Sequence, residues 1–453
     1  MHQAPPRPGP LPPPARPSAP SAGPGSKNAI EKRAQAAKAV FGRLQVALLE
    51  RIDASAAAKL PREELQRQVA ELIAEIVAEE RLSVTGREQQ QMTVVLVDDM
   101  IGYGPLEPLL SDDTVTDIMV NGPNQVYIER KGKLELTDVH FRNNAHVMNV
   151  AQRIVTRIGR RVDETCPIAD ARLPDGSRVN IIAPPLAIDG CSISIRKFAK
   201  KSITLDVMVR QRNISENLAK VLKIAAACRL NTIISGGTGS GKTTTLNAMS
   251  QLIDSGERIV TIEDAAELQL QQPHVVRLET RPPNLEGTGE ITMRDLVKNA
   301  LRMRPDRIIC GEVRGPEAMD MLQAMNTGHD GSMCTLHANT PREALTRLEN
   351  MIGMATVNLS SKAIRTQIAG SVNLIIQVSR MRDGVRRINQ VTEIVGMEGE
   401  VITTQDLFTF EYQGENRDGT LIGTFKGTGL RPHFSRKAAY YGLDRALMAA
   451  MAE

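Results

Sequence analysis

Apolar positions recur first at helical spacing, then in alternation, then as short unbroken runs, and this succession predicts three kinds of unit. Ala29 to Arg51, Pro61 to Glu80 and Arg87 to Leu110 read as helices. In the second, Leu65, Val69, Leu72, Ile73, Ile76 and Val77 form a stripe on one face. Pro61 suits the first turn, where its missing N–H has no partner to lose. The pattern predicts a small helical bundle over residues 28–90. Its polar side is dominated by Glu63, Glu64, Glu71, Glu75, Glu79 and Glu80, so the stripe reads as core and not as a lipid-binding face.

Strand-like runs follow at Thr116 to Val120, Gln125 to Arg130 and Leu134 to Phe141, separated by turns at residues 121–124 and 131–133, as in an antiparallel meander. A helical stretch from Asn144 to Gly159 comes next. Asp170 to Leu173 and Arg178 to Ile182 then flank a Pro-Asp-Gly turn, and Ser192 to Phe198 forms a further strand. Residues 91–205 therefore read as a mixed α/β domain, with a linker near 202–214. From Ser215 onward, strands and helices alternate as in a doubly wound parallel sheet. The strand candidates are Asn231 to Ser235, Arg258 to Ile262, Val275 to Leu278, Arg307 to Cys310, Met333 to Leu336 and Leu374 to Val378. The whole is an α/β protein whose last domain spans 215–453.

Composition modifies this picture at the amino terminus. Residues 1–27 are rich in proline, including Pro12, Pro13 and Pro14, and read as a disordered tail with polyproline II character. The formal charge is +4, of which Arg7, Arg16 and Lys27 supply three before the first acid at Glu31, so the remainder is nearly neutral. With 3% aromatics and no Trp there is little material for base stacking, and no stable nucleic-acid partner is expected. The five cysteines are widely spaced with no C-x-x-C pair, as suits a reducing cytoplasm. No run is long and apolar enough for a membrane span, so membrane association is expected to be peripheral.

Candidate chemistry centres on Gly236 to Thr243, a G-x-x-x-x-G-K-T loop between a buried strand and a helix. Such a loop cradles a nucleoside triphosphate, ATP with Mg²⁺. Gly237, Thr238, Gly239, Ser240, Gly241, Lys242, Thr243 and Thr244 are the candidate binding residues. Lys242 carries charge to the outer phosphates, and the Thr243 hydroxyl can ligate Mg²⁺.

In an open α/β sheet the ligand lies at the carboxyl ends of the strands, and three further strand ends carry chemistry. Glu263 and Asp264 end one strand, where a carboxylate can orient an attacking water. Glu312 ends another, placed to hold Mg²⁺ or polarise the nucleophile. His337 ends a third and can touch the γ-phosphate. His329 and His337 lie eight residues apart with no acid or cysteine cluster to complete a zinc site. Arginine is also expected near the triphosphate. Arg172, Arg178 and Arg196 sit on the hairpins of the mixed domain and Arg302, Arg304 and Arg314 flank the Glu312 strand; sequence does not choose among them.

These boxes, Gly236 to Thr243, Thr261 to Asp264, Ile308 to Glu312 and Gly328 to Asn339, resemble in order and spacing those of the type II/type IV secretion ATPases. With Gly104 to Leu110 and Val115 to Gly122, the chain is most similar to the CpaF-type ATPases of the tight-adherence (Tad) pilus. The family's tetracysteine insertion, common in pilus-extension and type II relatives, has no counterpart, which favours the Tad or conjugation-type branch. The resemblance implies a homohexameric ring with a RecA-like P-loop domain, peripheral to the inner membrane, engaging pilus platform proteins. It implies Glu263 as general base, Glu312 as Mg²⁺-associated acid, His337 as γ-phosphate contact, and Arg172, Arg178 and Arg196 as arginine fingers. Two alternatives are a traffic ATPase exporting protein or DNA and a nucleic-acid-stimulated motor, the latter opposed by the neutral core.

Overall fold

The computed structural model describes residues 40, 42–44, 47–48, 51–52, 60–130, 132–198, 203–283, 287–355 and 359–452. The Pro-rich tail and most of the first expected helix lie outside the described residues.

Two helices, Arg62–Glu79 and Gly86–Ile101, pack their stripes together through Leu65, Val69, Ile73 and Ile76 against Leu96 and Val97, with Leu44 and Leu48 joining the cluster. The second is started by a capping box in which Thr85 and Glu88 satisfy each other's backbone N–H. This helix corrects two expectations. A domain boundary at 90–91 falls inside it, because its buried face belongs to the bundle. The expected helix to Leu110 stops at Ile101, where Gly102 is crowded: a Cβ there would sit 2.5 Å from Glu107 Oε1 and 2.9 Å from Asp98 O. A short 3₁₀ turn, Gly104–Leu106, and the helix Glu107–Ser111 follow.

The mixed region forms a six-stranded antiparallel sheet in the order β3-β2-β1-β6-β5-β4. Its strands are β1 (Val115–Asn121), β2 (Val126–Arg130), β3 (Lys133–Leu136), β4 (Ile168–Arg172), β5 (Arg178–Ile182) and β6 (Ser192–Arg196). Alternation fixes its two faces. Val179, Ile181, Ile193 and Ile195 turn inward onto the helix Asn144–Thr156, while Arg178, Asn180, Ser194 and Arg196 turn the other way. β3 ends at Leu136, short of the expected Phe141.

The second sheet has nine strands in the order β15-β14-β13-β12-β7-β11-β10-β8-β9. β7 (Thr232–Gly236), β8 (Ile259–Glu263), β9 (Val275–Glu279), β10 (Arg307–Cys310), β11 (Met333–Leu336) and β12 (Leu374–Arg380) are parallel. Their continuous apolar runs are explained by burial on both faces. Ile234, Ile309, Met333 and Ile376 join one core, and Ile233, Ile308, Cys334 and Ile375 join the core on the opposite face. Three antiparallel strands that the sequence reading did not include extend the expected parallel sheet at its edge: β13 (Arg386–Glu398), β14 (Val401–Glu415) and β15 (Leu421–Gly427). Their tight connections permit direct hairpin pairing without a crossover helix.

Candidate functional site

The loop between β7 and the helix Lys242–Ser250 turns through Gly239 and Gly241, with φ of +68° and +103°. Glycine tolerates these left-handed values where other residues are strained. Lys242 is buried at the helix start, its Nζ donating to the carbonyls of Gly236 and Gly237 at 3.0 Å each. It also lies 3.3 Å from both ring nitrogens of His337. Burial lowers the Lys242 pKa, while nearby Glu312 raises it. Thr243 and Thr244 occupy the first turn, whose free N–H groups and dipole favour an anion.

β11 runs beside β7 and delivers His337 next to Lys242, and β10 delivers Glu312 one strand further on. His337 Nε2 is 3.0 Å from Glu312 Oε1, and Arg314 donates to Glu312 Oε2 at 2.9 Å. Burial and the charge of Lys242 lower the His337 pKa, so the imidazole is neutral at neutral pH. Burial pushes Glu312 up, but the Arg314 hydrogen bond and the charges of Arg314 and Lys242 bring it below the usual range. Lys242, His337 and Glu312 thus form one contact chain across three adjacent strand ends.

Glu263 stands apart from that chain. β8 is three strand spacings from β7, roughly 14 Å. Its carboxyl is 3% exposed and turned into its own loop, Oε1 accepting the N–H groups of Glu267 at 2.8 Å and Leu268 at 3.0 Å. Oε2 is buried without a hydrogen-bond partner, and burial lifts the pKa to about 7. Gly311 leaves room for this side chain, since a Cβ there would lie 2.8 Å from Glu263 Cγ. In this structure the carboxyl anchors its loop, and Asp264 of that loop faces the adjoining cavity.

That cavity, about 910 Å³, lies between the polar face of the six-stranded sheet and the ends of β8 and β9. Arg172, Arg178 and Arg196 all line it. Arg178 donates to Glu267 Oε1 at 2.6 Å. Arg172 Nη2 lies 2.7 Å from Glu279 Oε2, close in distance but outside hydrogen-bond geometry. Arg196 instead pairs with Asp117 at 3.2 Å on its own sheet. None of the three touches the P-loop in this arrangement. Arg314, one of the candidates from sequence, bridges Glu312 and Asp264, the latter at 3.2 Å.

The P-loop borders a smaller cavity of about 520 Å³ walled by Gly237, Thr238, His337, Asn339 and Arg347. Although the other cavity is larger, the P-loop geometry and the Lys242–His337 contact assign the candidate phosphate site to this one. Arg347 had no legible signal, because only the fold brings the helix Pro341–Gly353 beside the loop.

A P-loop on a parallel α/β sheet, with acidic and histidine boxes at neighbouring strand ends, defines a class of nucleotide-site proteins. Residues 99–404 match the family described as type II/IV secretion system protein, and the chain belongs to that family. A putative conjugal transfer protein of Mycobacterium tuberculosis strain H37Rv is 39% identical over 313 residues, covering 68% of this chain and 88% of the relative. Conjugal transfer protein TrbB of Rhizobium radiobacter is 34% identical, covering 65% of this chain and 88% of its own length. The crystal structure of the VirB11 ATPase from the Brucella suis type IV secretion system, in complex with sulphate, aligns at 28% identity and a TM-score of 0.35. That alignment covers 63% of this chain and 94% of the other.

Proposed function

We propose that the chain is an ATP-hydrolysing motor that powers assembly, and in reverse retraction, of a Tad or type IV-like pilus. It acts as a six-membered ring at the bacterial inner membrane, against platform proteins. The observation that carries the hydrolytic reading is the Lys242–His337–Glu312 chain at the mouth of the P-loop.

The residues fit the triphosphate. A Cβ at Gly237 or Gly239 would meet nothing within 4 Å, so the backbone can approach a phosphate unhindered, and the buried Ser240 hydroxyl has no partner within the protein. Among the described residues there is no group of three or more His, Cys, Asp or Glu that could hold a metal ion. Mg²⁺ typically takes one or two protein ligands and completes its shell with phosphate and water oxygens, and Thr243 and ionised Glu312 suit that role. When bound, the ion neutralises developing charge on the phosphates. Lys242 leaves the two loop carbonyls for the outer phosphates. Neutral His337, with Nε2 3.0 Å from Glu312 Oε1, reports the presence of the terminal phosphate to β11. Water forms a bond to the γ-phosphorus as the bridging P–O bond breaks; ADP departs with the electron pair and both water protons leave on the inorganic phosphate. Arg172 and Arg178, held by acids in this arrangement, serve as fingers once released.

The test is ATP turnover by the full chain with Mg²⁺. Lys242→Ala is expected to lose at least a hundredfold in rate, and a variant as active as the parent would sink the reading. The conjugal names of the relatives support a second reading, a traffic ATPase exporting protein or DNA. Deletion in the source organism separates the two: loss of surface pili supports the first, and loss of DNA or protein transfer with pili intact supports the second.

A further inference from the structure

The strand order leaves one side of the P-loop unaccounted for. β7 has β11 on one flank and β12 on the other, and all the hydrolytic residues lie toward β11. On the opposite flank the β12–β13 hairpin is flush with the loop. Val378 pairs with Gly236 in register, and a Cβ on Gly236 would lie 2.3 Å from Val378 O.

The hairpin tip is braced by an ion pair. Arg387, 6% exposed in its side chain, makes a bidentate pair with Asp383, 3% exposed, at 2.9 and 2.8 Å. The next strand position places Arg386 over the loop. Its Nε donates to Gly239 O at 3.0 Å, and its Cδ would be 3.2 Å from a Cβ on Gly241. Its carbonyl is fixed by Asn213 Nδ2 at 2.6 Å, so the backbone position is pinned from the linker as well. Arg386 is exposed and makes no ion pair among the described residues.

From this arrangement we infer that Arg386 is a nucleotide-contacting residue, holding the nucleoside end of ATP. The inference rests on the ATPase reading above. With the terminal phosphate drawn toward Lys242 and His337, the rest of the molecule extends toward the other flank, where Arg386 is the cation in contact with the loop. A guanidinium there can lay its plane on the base, which an ammonium cannot do as well. The contact is made in the ground state and is retained by ADP. It therefore governs binding more than the chemical step.

The experiment measures ATP, ADP and inorganic tripolyphosphate binding to the full chain by calorimetry, with KM, kcat and the ligand-free melting temperature of each protein. Arg386→Ala should weaken ATP and ADP about tenfold, about 1.4 kcal/mol, and leave tripolyphosphate within about twofold. KM should rise with kcat nearly unchanged, and Arg386→Lys should recover only part of the affinity. Unchanged ATP affinity in Arg386→Ala overturns the inference. So does equal weakening of tripolyphosphate, which would make Arg386 only a brace for the loop. Failure of the parent chain to bind ATP at all would instead overturn the motor reading on which this one stands.

Discussion

Glu263→Gln should make the protein more stable at alkaline pH, by an amount that the position of this carboxyl sets. Glu263 is 3% exposed, and burial lifts its pKa from 4.5 to about 7. The folded chain therefore binds this proton more tightly than the unfolded chain does. Between pH 4.5 and 7 the folded state retains a proton that the unfolded state has lost, so stability falls as pH rises and the full penalty stands above 7. At 1.36 kcal/mol per pH unit, the 2.5-unit difference amounts to about 3 kcal/mol. Glutamine keeps an acceptor for the N–H groups of Glu267 and Leu268 but cannot ionise. Its amide NH₂ replaces an oxygen that is already unpartnered, and that cost is the same at every pH. The stability gap between variant and parent should therefore widen by about 2 to 3 kcal/mol in favour of Glu263→Gln between pH 5 and pH 8. Chemical denaturation of both proteins without nucleotide at the two pH values measures it. A gap that is constant with pH would show that this carboxyl is not held in a poorly solvated pocket.

Two further outcomes follow from contacts away from the site. Arg307, 4% exposed in its side chain, is paired with Glu257 through two hydrogen bonds of 2.6 and 2.8 Å, and Arg307→Met should cost about 2 kcal/mol because it leaves a mostly buried carboxylate with only the longer 3.5 Å contact to Arg229. A loss under 1 kcal/mol in denaturant titration would refute this. Thr85→Ala removes the capping box of the helix Gly86–Ile101 and should cost about 1 kcal/mol, seen as earlier amide exchange in that helix with the two sheets unchanged.

The sequence by itself determined what depends on local chemistry. Glycines at positions that demand positive φ, a lysine at the helix start, and acids or histidine just after short apolar runs named the P-loop, Glu312 and His337 without reference to distance. Burial on both faces made β7, β8, β10 and β11 readable, since each presents unbroken apolar residues. Alternation likewise showed the strands that carry Arg172, Arg178 and Arg196. Tertiary structure decided what depends on neighbours far along the chain. Strand order put Glu312 and His337 beside Lys242 and set Glu263 three strands away, though all three look alike as residues at strand ends. Loop packing turned Glu263 inward, and pairing with Glu267, Glu279 and Asp117 separated the three arginines from one another. Arg347 and Arg386 reach the P-loop from 105 and 144 positions beyond Lys242. No local pattern encodes such a meeting, because it is produced by the order in which strands pair and by the faces that their helices bury.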